Sequence, residues 1–389
     1  MRDHLFEGNT GPRIAIVAGE ASGDLLGAAL VAELRKRFPD AQFAGVAGPK
    51  MQAAGVKTIE PISTLAVGGL VEVLRHLPGL LRLRRRIVQA CLQEKPDLFI
   101  GIDAPDFNLG LERRLKKRGI RTVHYVSPSI WAWRPERIKK IRAAVNHMLL
   151  ILPFEQEIYR TAGIPASYVG HPLAEMLPQH PDRAGVREQL GLAEDARVIA
   201  VLPGSRMREL DALAPLLVET ARRLAEKEPG LVFLVPLISR EIRAHFEREI
   251  WRQEAQDLHW RLMFGHAHEA MIAANVVLQA SGTAVLEAAL LKRPAVVTYR
   301  VSPLTYRMVK RKFLLPYVTL PNILAGKFVI PEFLQEDANA ENLCQAVLNY
   351  LHDKPLVAAL EAHFHAEHER LRCNGAAKAA EAVAGVLAA

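Results

Sequence analysis

Apolar residues along the chain fall into two patterns. Short, nearly continuous apolar runs recur at Arg13–Ala18, 97–102, 122–126, 149–152, Val198–Leu202, Val232–Leu237, 273–278 and 296–299. Runs of that kind mark parallel strands buried on both faces. Between them lie longer stretches with apolar residues three and four apart, such as 25–38 and the segment that starts near Glu209. These predict helices packed on the sheets. Strand and helix alternate throughout, which predicts an α/β chain built on parallel sheets. The stretch 174–196, with Pro178, Pro181 and alternating charges, separates two such series and reads as a linker. The chain therefore divides into an N-terminal Rossmann-like domain, 1–180, and a second one, 181–355, followed by an alanine-rich helical stretch, 356–389.

One segment departs from this scheme. Residues 67–92 carry Leu70, Val71, Val73, Leu74, Leu77, Leu80, Leu81 and Leu83 among arginines, and Pro78-Gly79 is expected to divide it into two helices. Core packing accounts for most of this apolar surface. A basic amphipathic face resting on a bilayer accounts for the adjacent arginines as well, and that reading is preferred.

Composition narrows the setting. The 389 residues are half hydrophobic and 24% charged, long enough for two domains with sizeable cores. Cys91, Cys344 and Cys373 lie far apart with no zinc-ligand spacing, which argues for a reducing compartment. The opening ten residues lack the apolar core of a signal peptide, and no apolar run approaches a membrane span, so the cytoplasm is the expected location. The net charge of +8 is concentrated at Arg82, Arg84, Arg85 and Arg86, at Arg113, Arg114, Lys116, Lys117 and Arg118, and at Arg307, Lys310, Arg311 and Lys312. No nucleic-acid motif accompanies these clusters, so nucleic acid is not an expected partner. Any one cluster most simply reads as a solvated helix face, and an anionic membrane surface fits at least as well as nucleic acid.

The candidate chemistry sits where strands end. The run 273–278 is followed by Ser281, Gly282 and Thr283 and then a helix. Unpaired amides and two hydroxyls there suit a phosphate or diphosphate, and an ordinary capped turn is the alternative. Glu287, one helical turn past Thr283, is placed for a vicinal diol such as a ribose. After the first strand, Gly19, Glu20, Ser22, Gly23 and Asp24 form a turn expected to face the mouth of a cleft, although it is not a full dinucleotide fingerprint. Asp103 precedes a proline-constrained turn that favours a fixed carboxylate, whereas Asp106 reads as a helix cap. Ser127 and Trp131 follow the 122–126 strand, where the aromatic residues either line a pocket or seal the domain, and His124 reads as a packed histidine. Arg206, after a Pro-Gly-Ser turn, can grip a phosphate bidentately. Asn322 either turns its amide to the cleft or forms a loop. No Asp-x-Asp motif occurs anywhere, which gives a metal site little support.

Taken together, GEASGD (19–24), GVAGPKM (45–51), GIDAPDFN (101–108), YVSPSIWAWR (125–134), PFE (153–155), VGHPL (169–173), LPGSR (202–206), ASGTAVLE (280–287), LPNILAG (320–326) and RCN (372–374) resemble the lipid-A-disaccharide synthase family, glycosyltransferases of the GT-B fold. The resemblance runs nearly end to end. It implies two Rossmann-like domains facing a central cleft, with 356–389 returning to the first. It also implies transfer from UDP-2,3-diacylglucosamine to 2,3-diacylglucosamine 1-phosphate, giving a β(1→6) disaccharide and UDP in lipid A (lipopolysaccharide) synthesis. Ser281, Gly282, Thr283 and Arg206 would meet the diphosphate and Glu287 the uridine ribose, with Asp103 as base and Asn322 orienting the sugar. The family further implies no cofactor, peripheral attachment to the cytoplasmic face of the inner membrane through 67–92, and a homodimer with exchanged C-terminal segments.

The β product of an α-linked donor requires one inverting displacement, with a base for the acceptor hydroxyl and positive charge for the leaving diphosphate. The helix start and Arg206 supply that charge, so metal-independent catalysis is expected. The rivals are another UDP-sugar enzyme of the same architecture, such as a 2-epimerase, and a non-catalytic membrane-peripheral nucleotide-binding protein.

Overall fold

A computed structural model of the chain describes residues 5–7, 11–65, 70–302, 306–307 and 313–389, with backbone alone for 70–76. Most of the polar opening stretch lies outside the described residues. So do 67–69, the side chains of Leu70, Val71, Val73 and Leu74, residues 303–305, and Lys310, Arg311 and Lys312. The chain forms two compact α/β units, Met1–Glu175 with Leu371–Ala389, and Met176–Arg370.

Among the described residues, the first unit holds a seven-stranded parallel sheet: β1 (Arg13–Ala18), β2 (Gln42–Ala47), β3 (Val56–Pro61), β4 (Leu98–Ile102), β5 (Arg121–Tyr125), β6 (His147–Leu150) and β7 (Ala166–Tyr168). Their order is β3-β2-β1-β4-β5-β6-β7, so the winding reverses between β1 and β4. Ala18 lies in register with Ile102, which brings the chain out of both strands side by side at that switch point. The unbroken apolar character of β1 has a direct cause. Ile14, Ile16 and Ala18 enter one core, Ala15 and Val17 the other.

Helices cover both faces. α1 (Ala21–Arg37) packs on the first core and α2 (Pro49–Ala53) follows β2. α1 begins at Ala21, four residues before the predicted start, so Ser22, Gly23 and Asp24 belong to its first turn rather than to an open loop. α3 (Leu70–Glu94) is a single helix with Pro78 inside it, not the two helices expected. Burial of Leu83, Ile87 and Cys91 in the second core holds it together downstream of the proline, and that packing outweighs the lost hydrogen bond. α4 (Pro105–Lys116) leads from β4 towards β5. The helix Gly375–Ala388 returns to this unit. It inserts Ala379, Ala380 and Val383 into the first core and accepts a 2.9 Å hydrogen bond from Arg121 Nη1 at Leu387 O. Near the division between units, Glu175 Oε1 accepts bonds from the amides of Cys373 (3.0 Å) and Asn374 (2.6 Å), fixing the returning chain beside the departing one.

The second unit holds, among the described residues, a six-stranded parallel sheet of β8 (Val198–Leu202), β9 (Val232–Leu237), β10 (His259–Phe264), β11 (Val276–Ala280), β12 (Ala295–Tyr299) and β13 (Glu332–Leu334). The order β10-β9-β8-β11-β12-β13 places its switch point between β8 and β11, where Leu202 pairs with Gln279. The turns after these two strands therefore lie next to each other.

Candidate active site

At the switch point of the first unit, Asp103 and Ala104 both adopt left-handed backbone, with φ of 53° and 42°. For residues with a Cβ this costs about 1–2 kcal/mol each, so surrounding contacts must hold it. Asp103 N donates to Tyr125 O at 2.9 Å, and Asn108 Nδ2 donates to Asp103 O at 2.8 Å. Gly19 presses from β1: a Cβ there would stand 2.3 Å from the Ala104 Cβ. The glycine of the 19–24 motif thus leaves space for the turn of the 101–108 motif. The Asp103 side chain is half-buried.

Behind this turn lies a buried histidine–glutamate pair that the sequence did not disclose. His124 Nδ1 and Glu112 Oε1 are 2.7 Å apart, both side chains fully enclosed. Gly101 admits them, since a Cβ there would fall 2.2 Å from Glu112 Oε1. Burial pushes the Glu112 carboxyl upwards while His124 opposes the shift. Asn108 and Glu112, four apart on α4, interrupt its buried apolar stripe, and that interruption was the available signal. Asp106 is exposed in the first turn of α4 and pairs with Arg137.

Of the other predicted residues of this unit, Asp24, Ser127 and Trp131 have side-chain partners. Glu20 and Ser22 are exposed at the start of α1, and Gly23 packs beside Ala18 and Ile102. Asp24 does not face a cleft. It is buried, and its carboxylate accepts from the amides of Gly48 (2.9 Å), Lys50 (3.0 Å) and Met51 (3.0 Å), capping α2. Ser127 Oγ is buried 2.7 Å from Tyr159 OH. Trp131 packs edge-on to Phe154 and donates from Nε1 to Glu155 Oε1 at 3.1 Å. Burial lifts the Glu155 carboxyl to about 7, opposed by the Leu152 amide and the Trp131 indole.

In the second unit, Ser281 N donates to Thr298 O at 3.1 Å. The next helix, Ala284–Leu290, makes its first bonds from Val285 onwards, and the amides of Gly282, Thr283 and Ala284 make none to the described backbone. With the hydroxyls of Ser281 and Thr283 they form a turn rich in donors. Glu287 lies one turn on and accepts from or pairs with His268 Nε2 at 2.9 Å, and that hydrogen bond raises the His268 pKa. Across the switch point, Gly204 (φ 107°) turns the chain after β8 into the helix Met207–Lys227. Glu209 accepts from Ser205 N at 3.2 Å and pairs with Arg206, whose side chain is 82% exposed. A cavity of about 900 Å³ opens here, lined by Arg206, Arg208, Tyr299, Arg300 and Ser302.

Asn322 corrects the expectation of a sugar-orienting amide. It is fully buried, donating to Ile330 O (2.9 Å) and Glu332 Oε1 (2.7 Å) and accepting from Val329 N (2.7 Å) and Ile330 N (3.0 Å). Two donors and two acceptor positions are all an amide side chain has, so nothing is left for a ligand. Its work is to fix the loop that enters β13. Among the described residues, no group of three or more His, Cys, Asp or Glu side chains is placed to hold a metal ion, and no helix is long and apolar enough to cross a membrane.

Comparison with known proteins decides what these features belong to. A family model described as lipid-A-disaccharide synthetase matches residues 14–383. The chain belongs to the lipid-A-disaccharide synthase family. Lipid-A-disaccharide synthase of Methylobacillus flagellatus is 57% identical over 372 residues, covering 96% of this chain and 98% of that protein. That of Chromobacterium violaceum is 52% identical over 379 residues, covering 97% and 98%. Among solved structures, MurG of Acinetobacter baumannii matches with a TM-score of 0.59 at 14% identity over 96% of this chain and 99% of that one. The UDP-GlcNAc 2-epimerase of Neisseria meningitidis, solved with UDP-GlcNAc, gives 0.59 at 13% identity over 97% and 99%. At such identities the likeness speaks to the fold alone, and the fold is GT-B, as expected for a lipid-A-disaccharide synthase.

Proposed function

We propose that this chain condenses UDP-2,3-diacylglucosamine with 2,3-diacylglucosamine 1-phosphate, forming the β(1→6)-linked tetraacyl disaccharide 1-phosphate and UDP. The observation that carries this reading is the nearly end-to-end match to lipid-A-disaccharide synthases, at 57% and 52% identity in the two described above. The acceptor 6-hydroxyl attacks the anomeric carbon as the bond to the UDP oxygen breaks, inverting the configuration in one step. Asp103 takes the hydroxyl proton. A carboxylate is a weak base for an alcohol, so transfer completes only after the new C–O bond has largely formed and the oxygen has become acidic. The strained, doubly hydrogen-bonded backbone at Asp103 supports this role, because it fixes the carboxylate at a strand end.

The departing diphosphate draws on the amides of Gly282 and Thr283, the hydroxyls of Ser281 and Thr283, and the exposed guanidinium of Arg206. Glu287, oriented by His268, takes the ribose diol. These donors supply the charge that a metal ion supplies in other transferases, and with no Asp-x-Asp in the chain the reaction runs without one. Asn322 acts through the loop it fixes, not on the sugar. The protein works in the cytoplasm at the inner-membrane surface, as a homodimer. Exposed Leu77 and Leu81 beside exposed Arg82 and Arg85 on α3 support a membrane-facing surface.

The test is turnover in detergent micelles with both substrates and EDTA, following UDP and disaccharide together. Equal appearance of the two products is expected, and Asp103→Ala should retain UDP binding while losing disaccharide formation by a factor of about 10²–10⁴. UDP without disaccharide would point to hydrolysis, and unchanged turnover of Asp103→Ala would remove that residue from the mechanism.

A further inference from the structure

A second cavity in the Met176–Arg370 unit shares Ser281 with the chemistry above and is otherwise unassigned. It measures about 550 Å³ and has Ser281 at its rim, with Tyr299, Val301, Phe313, Leu315, Val318 and Leu334 among its walls. That volume is typical of a small-molecule site, roughly 300–1,000 Å³. The lining is overwhelmingly apolar, and the Gln335 amide on its wall is already used, donating to Val301 O (3.0 Å) and accepting from Val301 N (2.7 Å). The cavity is also braced. Glu332 accepts from the amides of Val318 and Thr319, both at 2.9 Å, and Asn322 holds Glu332 in turn.

Its place in the sheet identifies the occupant. Glu287 points to His268 on the helix Ala267–Ala273, which packs over β8 and β9. The cavity lies on the opposite side of the Ser281 turn, at the ends of β12 and β13. With the diphosphate on that turn and the ribose at Glu287, the group attached to the far phosphate must extend towards the cavity. We infer that this cavity takes one acyl chain of the donor sugar and sets the chain length accepted. The inference rests on the transferase reading above. A polar sugar ring alone would leave these walls unmatched, whereas a hydrocarbon chain removes them from water.

The experiment varies donor and acceptor chain lengths separately and measures kcat/KM for the unsubstituted protein, Leu315→Trp and Leu315→Ala, with UDP affinity of each by calorimetry. Filling the cavity with Trp should lower the ratio of long-chain to short-chain donor turnover by more than about tenfold. Leu315→Ala should move the optimum to longer donors, and UDP affinity should be retained in both. Should the Trp variant fail to bind UDP, the Ala profile decides. A donor profile unchanged in the substituted protein overturns the inference, as does a change confined to acceptor length. Absence of disaccharide from the unsubstituted protein at every chain length overturns the transferase reading, and this inference with it.

Discussion

Gly19→Ala tests whether the 19–24 and 101–108 motifs cooperate through space alone. The new Cβ would stand 2.3 Å from the Ala104 Cβ, where carbon atoms prefer about 3.5–4.0 Å. Neither side yields easily: Gly19 follows directly from β1 in the sheet, and Ala104 sits in a left-handed turn tied down by Asn108. Relief therefore requires a shift of more than about an ångström, and Asp103 is the residue attached to the part that moves. A displacement of that size at a reacting group costs about 10²-fold in turnover, and the strain costs about 1–3 kcal/mol of stability. UDP affinity should not change, since every residue assigned to UDP lies in the Met176–Arg370 unit. The companion Ala104→Gly removes the opposing methyl, after which the nearest atoms are the residue-104 Cα at 3.5 Å and N at 3.7 Å, ordinary contact. The double variant should regain most of the lost turnover. Initial rates of disaccharide formation, UDP calorimetry and thermal unfolding on the four proteins complete the cycle. A single variant within about threefold of normal turnover, or a double variant no better than the single, would refute the steric argument.

Two further predictions concern buried carboxylates. Glu155 has a folded pKa of about 7, raised from 4.5 by burial. Its favourable contribution is therefore complete below pH 4.5 and lost as pH rises through 7. Glu155→Gln, which cannot ionise, should gain on the unsubstituted protein across that window by up to about 3 kcal/mol; a difference in melting temperature that stays flat with pH refutes it. Asp24→Ala strips three amides of their acceptor at the start of α2 and should cost about 2–4 kcal/mol, read by denaturant unfolding, with UDP affinity intact. Near-normal stability would return Asp24 to the candidate ligand set.

What the sequence disclosed follows from burial. β1, β4, β8 and β11 are enclosed on both faces, so their composition alone gives them away. β10 and β13 stand at a sheet edge with half-exposed, mixed sequences, and the amphipathic alternation of β3 is broken by a register shift opposite Gly45 and Val46. β2 was hidden by its small residues. The GT-B fold was legible because ten motifs appear in family order, eight of them at or just after a strand end where backbone geometry constrains residue choice. The partners of those residues were not. Asp24 and Asn322 are spent on amides whose positions depend on the folded path of other loops, and Glu112 meets His124 across a helix–strand contact that no local pattern encodes.

The return of residues 371–389 to the first unit has a consequence for biosynthesis. Leu30 and the sheet face beneath α1 share a core with Ala379, Ala380 and Val383, yet the ribosome must make all of Met176–Arg370 between them. At about 5–20 residues per second, the first unit waits on the order of ten to forty seconds with an apolar face uncovered while the inserted unit emerges and folds. The nascent chain thus passes through a stage in which its earliest half is complete in sheet but not in cover, and in which a trigger-factor-like holdase would find its natural target. Stalling synthesis just short of residue 371 should expose that stage to a protease that the finished protein resists.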